Sequence, residues 1–504
     1  MNVKKIGSVR FFLLVNSQEN SSKILVAEKM IRTTNQWIWI RGSKKIVWKG
    51  DLVSASYVLE AMQVPESQNV EMEVRNLSIE PDEDGDLLPN QLEIKLGTNP
   101  SSQDSDMDTM DDSWEIENGC NPLRNDRLLD PDMDCFTNQE EMWAATDPRD
   151  CSNYPGKPAN PKSNESTKAI LRYLALLPSH QEKRVLVGQH LTNPIVEYKE
   201  CVENLYEQTG KWVGLLALQY DDLSQIKLVN TYALDYWKRG GLVKIKYSLD
   251  NPWTGKGRND RPKKGKFNYI DIPGLLDPKN SRTPAQREAN QMAHEKYRSI
   301  LDSIAEGLNE LQKQGITILF RPISEMNGAW FWWGKSSRVD YIALWQDMFR
   351  YLTTTKGLNN LIWVYESDSS VHMLNPSDYY YPGDDYVDVM GHNFYNDIWE
   401  LPFDANQLYR DYPKIYAFPQ AGAGDKKDGT WDNMTFLDGI INRYPRCSFF
   451  AAWNSYSIQG GKVRVKRAIV DNQNAKQLLD HPWIVTRGEI EWIYQHGRIK
   501  DEAR

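Results

Sequence analysis

Twelve carboxylates in three equal registers, and one glutamate at the end of an apolar run, are the residues of this chain best suited to chemistry. Asp82, Asp84, Asp86 and Glu93 form the first register, Asp104, Asp106, Asp108 and Glu115 the second, and Asp130, Asp132, Asp134 and Glu141 the third. Each is DxDxD with a glutamate at position twelve. Alternate aspartates converge on one point and a distal glutamate closes the shell, which is the arrangement a hard, oxygen-seeking cation such as Ca²⁺ needs. The single glutamate is Glu325, within FRPISEMNGAWFWWG at 320–334. There a carboxyl stands beside Trp330, Trp332 and Trp333, rings able to wall a sugar-binding cleft and to desolvate an acid.

Charge separates these two regions. Residues 82–150 hold 20 acidic and 4 basic side chains, a local charge of −16 within a chain of net charge −9. Such a segment repels itself unless something positive neutralises it, so it is either a solvated linker or a cation site, and structural Ca²⁺ binding is the expectation. No cofactor is expected for catalysis. The acidic balance argues against a nucleic-acid partner. No apolar run is long enough to span a membrane. The first glycine of the acidic repeats sits at position four and no long amphipathic helices flank the loops, which disfavours paired EF-hands. Five cysteines, at 120, 135, 151, 201 and 447, suit a secreted protein with one or two disulfides without fixing a pairing. The run 9–15 (VRFFLLV) is too short, and lacks the cleavage site, for a clear signal peptide, so either a signal peptide is missing from a truncated N-terminus or the expected secretion rests on the other features.

A barrel is what would position Glu325. From 166 onward, short apolar runs at 185–187, 213–218, 242–245, 316–320, 361–364, 387–390, 415–418 and 449–452 alternate with helical patterns. Eight such runs predict a (β/α)8 barrel over 166–495, whose site lies at the C-terminal ends of the strands. A doubly wound sheet is disfavoured because no glycine-rich phosphate loop follows the first run. Before the barrel, the sequence divides into a small β module over 1–78, with strand-like runs at 36–40, 45–48 and 70–74, the cation-binding repeats over 79–152, and a Pro/Gly/Asn-rich linker over 153–165.

With the intervening GTNP at 97–100 and CNP at 120–122, the acidic segment resembles thrombospondin type 3 repeats, which hold structural Ca²⁺ in extracellular proteins. The 320–334 segment resembles the acid/base signature of glycoside hydrolase family 26, chiefly β-mannanases with (β/α)8 barrels. That similarity extends through 165–490 and includes GQH at 188–190, DNP at 250–252, YYPGDDYVD at 380–388, WN at 453–454 and HP at 481–482. The resemblance implies that Glu325 is the proton donor, that Tyr395 orients the nucleophile, and that Trp453 is the platform under the sugar. His190, Ser248, Ser324, Asn327 and Trp330 are its further expected sugar contacts.

The departures from the pattern are equally specific. KIYAFPQAG at 414–422 places Gln420 where the family has its glutamate nucleophile, and Ser324 and Ser248 stand where histidines are usual. An amide cannot attack an anomeric carbon as a carboxylate does. Asp221, Asp250, Glu366 and Asp368 are the strand-end carboxylates available for a second role. An inverting pair would need roughly 6.5–9.5 Å between its carboxyls. The expectation is a monomeric, secreted glycoside hydrolase on β-mannan or a related polysaccharide, with an atypical site. A protein that binds the polysaccharide without cleaving it is the alternative, and an adhesion protein with the barrel as spacer is disfavoured by the tryptophan-rich cleft.

Overall fold

The computed structural model describes residues 81–134, 136–180, 182–260, 270–328, 330–369, 377–395, 414–424, 426–458 and 463–490, with short pieces at 375, 408–409 and 412, and the strand backbone at 7–17, 21–31 and 52–62. The chain divides into two compact units, 1–142 and 143–504. Residues 143–152, read from sequence as the end of the acidic repeats, thus group with the barrel.

In the first unit, β1 (Gly7–Ser17), β2 (Ser21–Ile31) and β3 (Leu52–Met62) form an antiparallel sheet in the order β2-β1-β3. The stretch weighed as a signal peptide is therefore the middle of a strand. The strand-like runs at 36–40, 45–48 and 70–74 lie outside the described residues, as does Cys135. Further along, each acidic loop leads into a seven-residue helix, Asn90–Leu96, Asp112–Asn118 and Asn138–Ala144. Glu93, Glu115 and Glu141 fall in the first turns of these helices and are fully buried.

The second unit is built on β4 (Val185–His190), β5 (Leu215–Gln219), β6 (Leu242–Tyr247), β7 (Ile318–Pro322), β8 (Leu361–Asp368), β9 (Val389–Phe394), β10 (Ile415–Ala421) and β11 (Cys447–Ala452). All eight are parallel, neighbours in sequence pair, and β11 returns to β4. The result is the closed (β/α)8 barrel that the sequence predicts. The strands are buried throughout or nearly so, as parallel strands covered by helices must be. The covering helices start at side-chain caps that satisfy free N–H groups. Asn164 accepts from Thr167 N at 2.9 Å, Thr283 from Gln286 N at 3.1 Å and Ser337 from Asp340 N at 3.2 Å. Residues 153–164 contain no helix or strand, yet they are hydrogen-bonded to the barrel: Ala159 N donates to Asp388 and Asn164 N to the Asn359 carbonyl. Among the described residues no helix is long and apolar enough to cross a membrane.

The barrel interior changes chemistry with height. Leu186, Leu215, Leu242, Leu319, Ile362, Val389, Ile415 and Phe449 belong to one apolar cluster at the lower end. Two residues further along the strands stand Gly188, Ala217, Lys244, Arg321, Gly391 and Ala451. The small members leave room for the two long cations. Gly391 is required by close approach, because a Cβ there would lie 2.1 Å from the Ala417 carbonyl oxygen and 2.8 Å from Pro419 Cδ. Gly391→Ala is expected to destabilise the barrel by about 3 kcal/mol through overpacking against backbone that cannot yield. Thermal unfolding of the full chain measures this, and an unchanged melting temperature would show that β9 and β10 can separate.

Candidate functional site

Glu325 owes its position to an abrupt turn after β7. Ile323 and Glu325 have φ of +30° and +57°, left-handed conformations that side chains other than glycine seldom adopt and that mark over-determined sites. The Glu325 N–H donates to the Glu366 carbonyl at 2.9 Å, which ties the turn to β8. Asn327 reinforces it: its amide donates to the Asp368 carbonyl at 2.8 Å and accepts from Asp368 N at 2.8 Å. Asn327 is 1% exposed. Both ends of its amide meet the Asp368 backbone, so Asn327 positions the turn that carries Glu325.

The Glu325 carboxylate is held from three sides. Asn393 Nδ2 and Gln420 Nε2 donate to Oε1 at 2.8 and 3.1 Å, and Trp330 Nε1 donates to Oε2 at 2.9 Å. Beneath them the fully buried Arg321 donates to Glu366 Oε1 and, at 2.8 Å, to Gln420 Oε1. A guanidinium can only donate, so Gln420 must present its oxygen to Arg321 and turn its N–H groups toward Glu325. Gln420 also lies beside the Tyr395 hydroxyl, whose pKa is raised by burial and by Glu325 and Glu366 against the opposing effect of Arg467. The Arg467 guanidinium covers the Tyr395 ring at 4.1 Å. Glu325, Gln420, Tyr395 and Asn393 thereby meet at the C-terminal ends of β7, β9 and β10.

Trp453, immediately after β11, supplies an aromatic wall. His190, at the end of β4, stacks against it with ring centroids 3.9 Å apart and planes inclined by 16°. Burial, followed by Lys244, Lys246 and Arg321, depresses the His190 pKa well below its usual value and keeps the ring neutral. Trp330 is partly exposed beside Glu325, whereas Trp332 and Trp333 are fully buried. Their indole N–H groups donate to the Leu249 and Ser324 carbonyls at 2.8 and 3.0 Å. These two tryptophans are therefore core, and the expected three-ring wall reduces to Trp330. Ser248 and Ser324 are 4% and 3% exposed, with the Ser248 N–H donating to Asp221 at 2.9 Å.

Two of the carboxylates weighed for a second role are paired with cations. Glu366 is fully buried against Arg321. Asp221 pairs with Lys246 at 2.7 Å and also with Arg258; burial pushes its pKa up, but the two cations outweigh that and hold it low. Asp368 is 8% exposed and its backbone is clamped by Asn327. Asp250 is partly exposed, with a pKa raised by burial and then by Asp221.

Arg321, Lys244, Lys246 and Asn393 were not among the residues chosen from sequence. Alternation would have found the lysines: in LVKIKY, Lys244 and Lys246 share one face of β6. Lys244 donates to the Pro419 carbonyl. Lys246 lies 5.8 Å from the Trp453 ring centroid.

The acidic loops repeat one local geometry. Asp82 accepts from Gly85 N and Leu87 N, Asp104 from Asp108 N and Thr109 N, and Asp130 from Asp134 N. Donor oxygens of Asp82, Asp84 and Asp86 lie within 4.8 Å of one another, as do those of Asp104, Asp106 and Asp108, and of Asp130, Asp132 and Asp134. Neither carboxylate oxygen of the fully buried Glu93 or Glu115 has a hydrogen-bond partner. Buried, unpaired anionic oxygens are costly unless a cation meets them, so the donor set fits a hard cation.

The fold and the site together define a barrel of the glycoside hydrolase type, with one acid at the end of β7 faced by groups from β9 and β10 and a tryptophan after β11. Residues 159–489 match the profile of glycosyl hydrolase family 26, and the chain belongs to that family. It is 32% identical over 354 residues to the mannan endo-1,4-beta-mannosidase A and B of Caldalkalibacillus mannanilyticus, a match covering 66% of this chain and 63% of that protein. A mannan endo-1,4-beta-mannosidase of Bacillus subtilis is 30% identical over 352 residues, covering 66% of this chain and 89% of that enzyme. The solved structure of the Bacillus subtilis mannanase BCman gives a TM-score of 0.56 at 28% identity, over 67% of this chain and 96% of that one.

One consequence of the buried cations is a pH dependence of stability. Burial depresses the Lys246 pKa to about 8, from an ordinary 10.5, against the pull of Asp221. Between these values the unfolded chain holds the extra proton, so this residue makes stability rise with pH from about 8 to 10.5 and contributes a constant penalty below about 8. Lys246→Met is expected to lose that rise, so that the difference in stability between parent and variant changes from about pH 8 to 10.5. Chemical denaturation at intervals from pH 7 to 10.5 checks it, and parallel curves would exclude the buried charge.

Proposed function

We propose that the barrel is an extracellular glycoside hydrolase directed at β-1,4-mannan or a closely related β-linked polysaccharide, in which the amide at 420 makes turnover slow and leaves binding as the dominant property. The reading rests on the hydrogen bond from Gln420 Nε2 to Glu325 Oε1. At 3.1 Å the acid and the residue in the nucleophile position are in direct contact, whereas a retaining pair is held about 5–5.5 Å apart. The substrate class follows from the enzymes this chain resembles, which are named for mannan.

In this reading Glu325 donates its proton to the glycosidic oxygen while the sugar stacks on Trp453. Gln420 cannot form the glycosyl-enzyme bond, since it has no carboxylate to offer. Its orientation adds a second obstacle. Arg321 holds the carbonyl oxygen and the amide N–H groups face the cleft, so the positive end of a dipole lies where positive charge develops in the transition state. The candidate second carboxylates that are paired, Glu366 and Asp221, are held by cations and cannot substitute. Extracellular location is supported by the acidic loops, whose oxygen donors suit the millimolar Ca²⁺ available outside cells.

Gln420→Glu is expected to raise the release of reducing ends from mannan at least about 100-fold over the parent, since it restores the missing nucleophile while Glu325 still donates. Adding Glu325→Gln should abolish that gain. Trp453→Ala should weaken binding of manno-oligosaccharide by the parent about tenfold or more, through loss of its stacking face. Parental turnover at rates ordinary for glycosidases and indifferent to Glu325→Gln would end this reading. A parent that neither binds manno-oligosaccharide nor gains activity through Gln420→Glu would end it equally.

The acidic loops are read as structural Ca²⁺ sites that fold the 81–142 segment. Full-length protein stripped with chelator should take up Ca²⁺ in calorimetric titration, with an accompanying rise in melting temperature by mass action. Absence of both would remove the cation from the account.

A further inference from the structure

We infer that Asp112 and Asp126 are cation ligands that link each acidic loop to the one that follows it. This rests on reading the loops as Ca²⁺ sites and extends it to two residues outside the DxDxD-plus-glutamate pattern. Asp126 belongs to none of the three twelve-residue loops, which span 82–93, 104–115 and 130–141. Asp112 lies within the second loop but faces the first.

Oxygens of Asp108, Glu115 and Asp126 lie within 4.8 Å of one another, and so do those of Asp86, Glu93 and Asp112. That separation is the diameter of a shell with Ca–O bonds of about 2.4 Å. All six residues are buried, Asp126 being the most exposed at 8%. The independent sign of a ligand is the glutamate in each group. Glu93 and Glu115 are 0% exposed, and none of their four carboxylate oxygens has a hydrogen-bond partner. A fully buried carboxylate turned toward two others is stable only with positive charge between them.

The two aspartates are held in place by chain from both sides. Asp126 N and Arg127 N each donate to Asp108 Oδ2 at 3.2 Å, fixing the backbone at 126 to the second loop. The Asp126 carboxylate accepts from Asn121 N at 3.0 Å and from Asn138 Nδ2 at 3.3 Å, and Asn138 lies in the third loop. Asp112 accepts from Ser105 N at 2.9 Å and Ser105 Oγ at 2.6 Å. Gln103 Nε2 reaches back to the Asp84 carbonyl at 2.7 Å. A cation on Asp86 and Glu93 therefore also pulls on the second loop through Asp112, and a cation on Asp108 and Glu115 draws in the stretch that carries Asn138. Binding along the segment should be cooperative for this reason.

Calorimetric titration of the chelator-treated full-length protein with Ca²⁺ tests the assignment. Asp126→Asn, which keeps one acceptor oxygen, should weaken one class of Ca²⁺ site at least tenfold although it changes no residue of any loop. Combined with Asp106→Asn in the second loop it should add little further loss, because both damage one site, whereas combined with Asp132→Asn in the third loop the further loss should be clearly larger, because a second site is damaged. Asp112→Asn should behave in the same way toward Asp84→Asn in the first loop. In chelator, each single variant should melt at or above the parental temperature, since a repelling carboxylate is gone, while its gain on adding Ca²⁺ shrinks. A general folding defect would lower both. Parental Ca²⁺ uptake left unchanged by Asp126→Asn and Asp112→Asn would overturn the linkage and leave the loop sites standing. No uptake by the parent would overturn the calcium reading and this inference together.

Discussion

The buried Arg321 guanidinium is the constraint on which the cleft depends. It lies in the middle of an otherwise apolar strand, fully enclosed, with Glu366 on one side and Gln420 on the other. Removing a charge of this kind from water is costly, and the cost is offset only if its donors meet acceptors of good geometry. The side chains of β8 and β10 are thereby pinned to β7 from below. Gln420 can then turn only its N–H groups upward, and Glu325 receives one of them. The geometry of the reacting face is therefore settled one layer beneath it, among groups a polysaccharide need not touch.

Much of this was legible in the sequence, and the parts that were not share a cause. Eight apolar runs separated by helical patterns mark all eight barrel strands, because burial on both faces leaves a continuous apolar signature. Glu325 stood out through its neighbours, and Gln420 through its place in KIYAFPQAG. The tryptophans after Glu325 were ambiguous, since an aromatic cluster reads alike whether it lines a cleft or fills a core. The tight turn at Ile323 and Glu325 decided it by sending Trp332 and Trp333 inward, and a left-handed conformation at Glu325 has no signature in residue type. Asn327 misled for a related reason, as an amide beside an acid suits a sugar hydroxyl or a strand backbone equally well. Arg321 was hidden because its partners, Glu366 and Gln420, lie on other strands, whereas the alternation in LVKIKY does mark Lys244 and Lys246 as one face of β6.

Buried charge is handled in two ways within one chain. In the barrel, Arg321 with Glu366 and Lys246 with Asp221 bring the opposing charges together from the protein itself. In the acidic segment, carboxylates converge on one another, and on the calcium reading proposed above the positive charge comes from solution. On the proposed calcium reading, folding of this segment would be conditional on a dissolved cation, because metal-binding energy there would be folding energy.

The amide at 420 can be understood in the same terms. A glutamate at this position would place a third carboxylate beside Glu325 and Glu366, with Arg321 already committed to Glu366 and Lys244 donating to a backbone carbonyl. Enzymes that need two acids in one cleft accept that repulsion, since like charges held close are what shift their pKa values apart. With glutamine the repulsion is replaced by two hydrogen bonds of matched polarity, one accepted from Arg321 and one donated to Glu325. Relief of strain at a reacting centre commonly stabilises a fold at the expense of activity. With the amide in place, Trp453 stacks on His190, Tyr395 lies beside residue 420, and Glu325 is held from three sides by Asn393, Gln420 and Trp330.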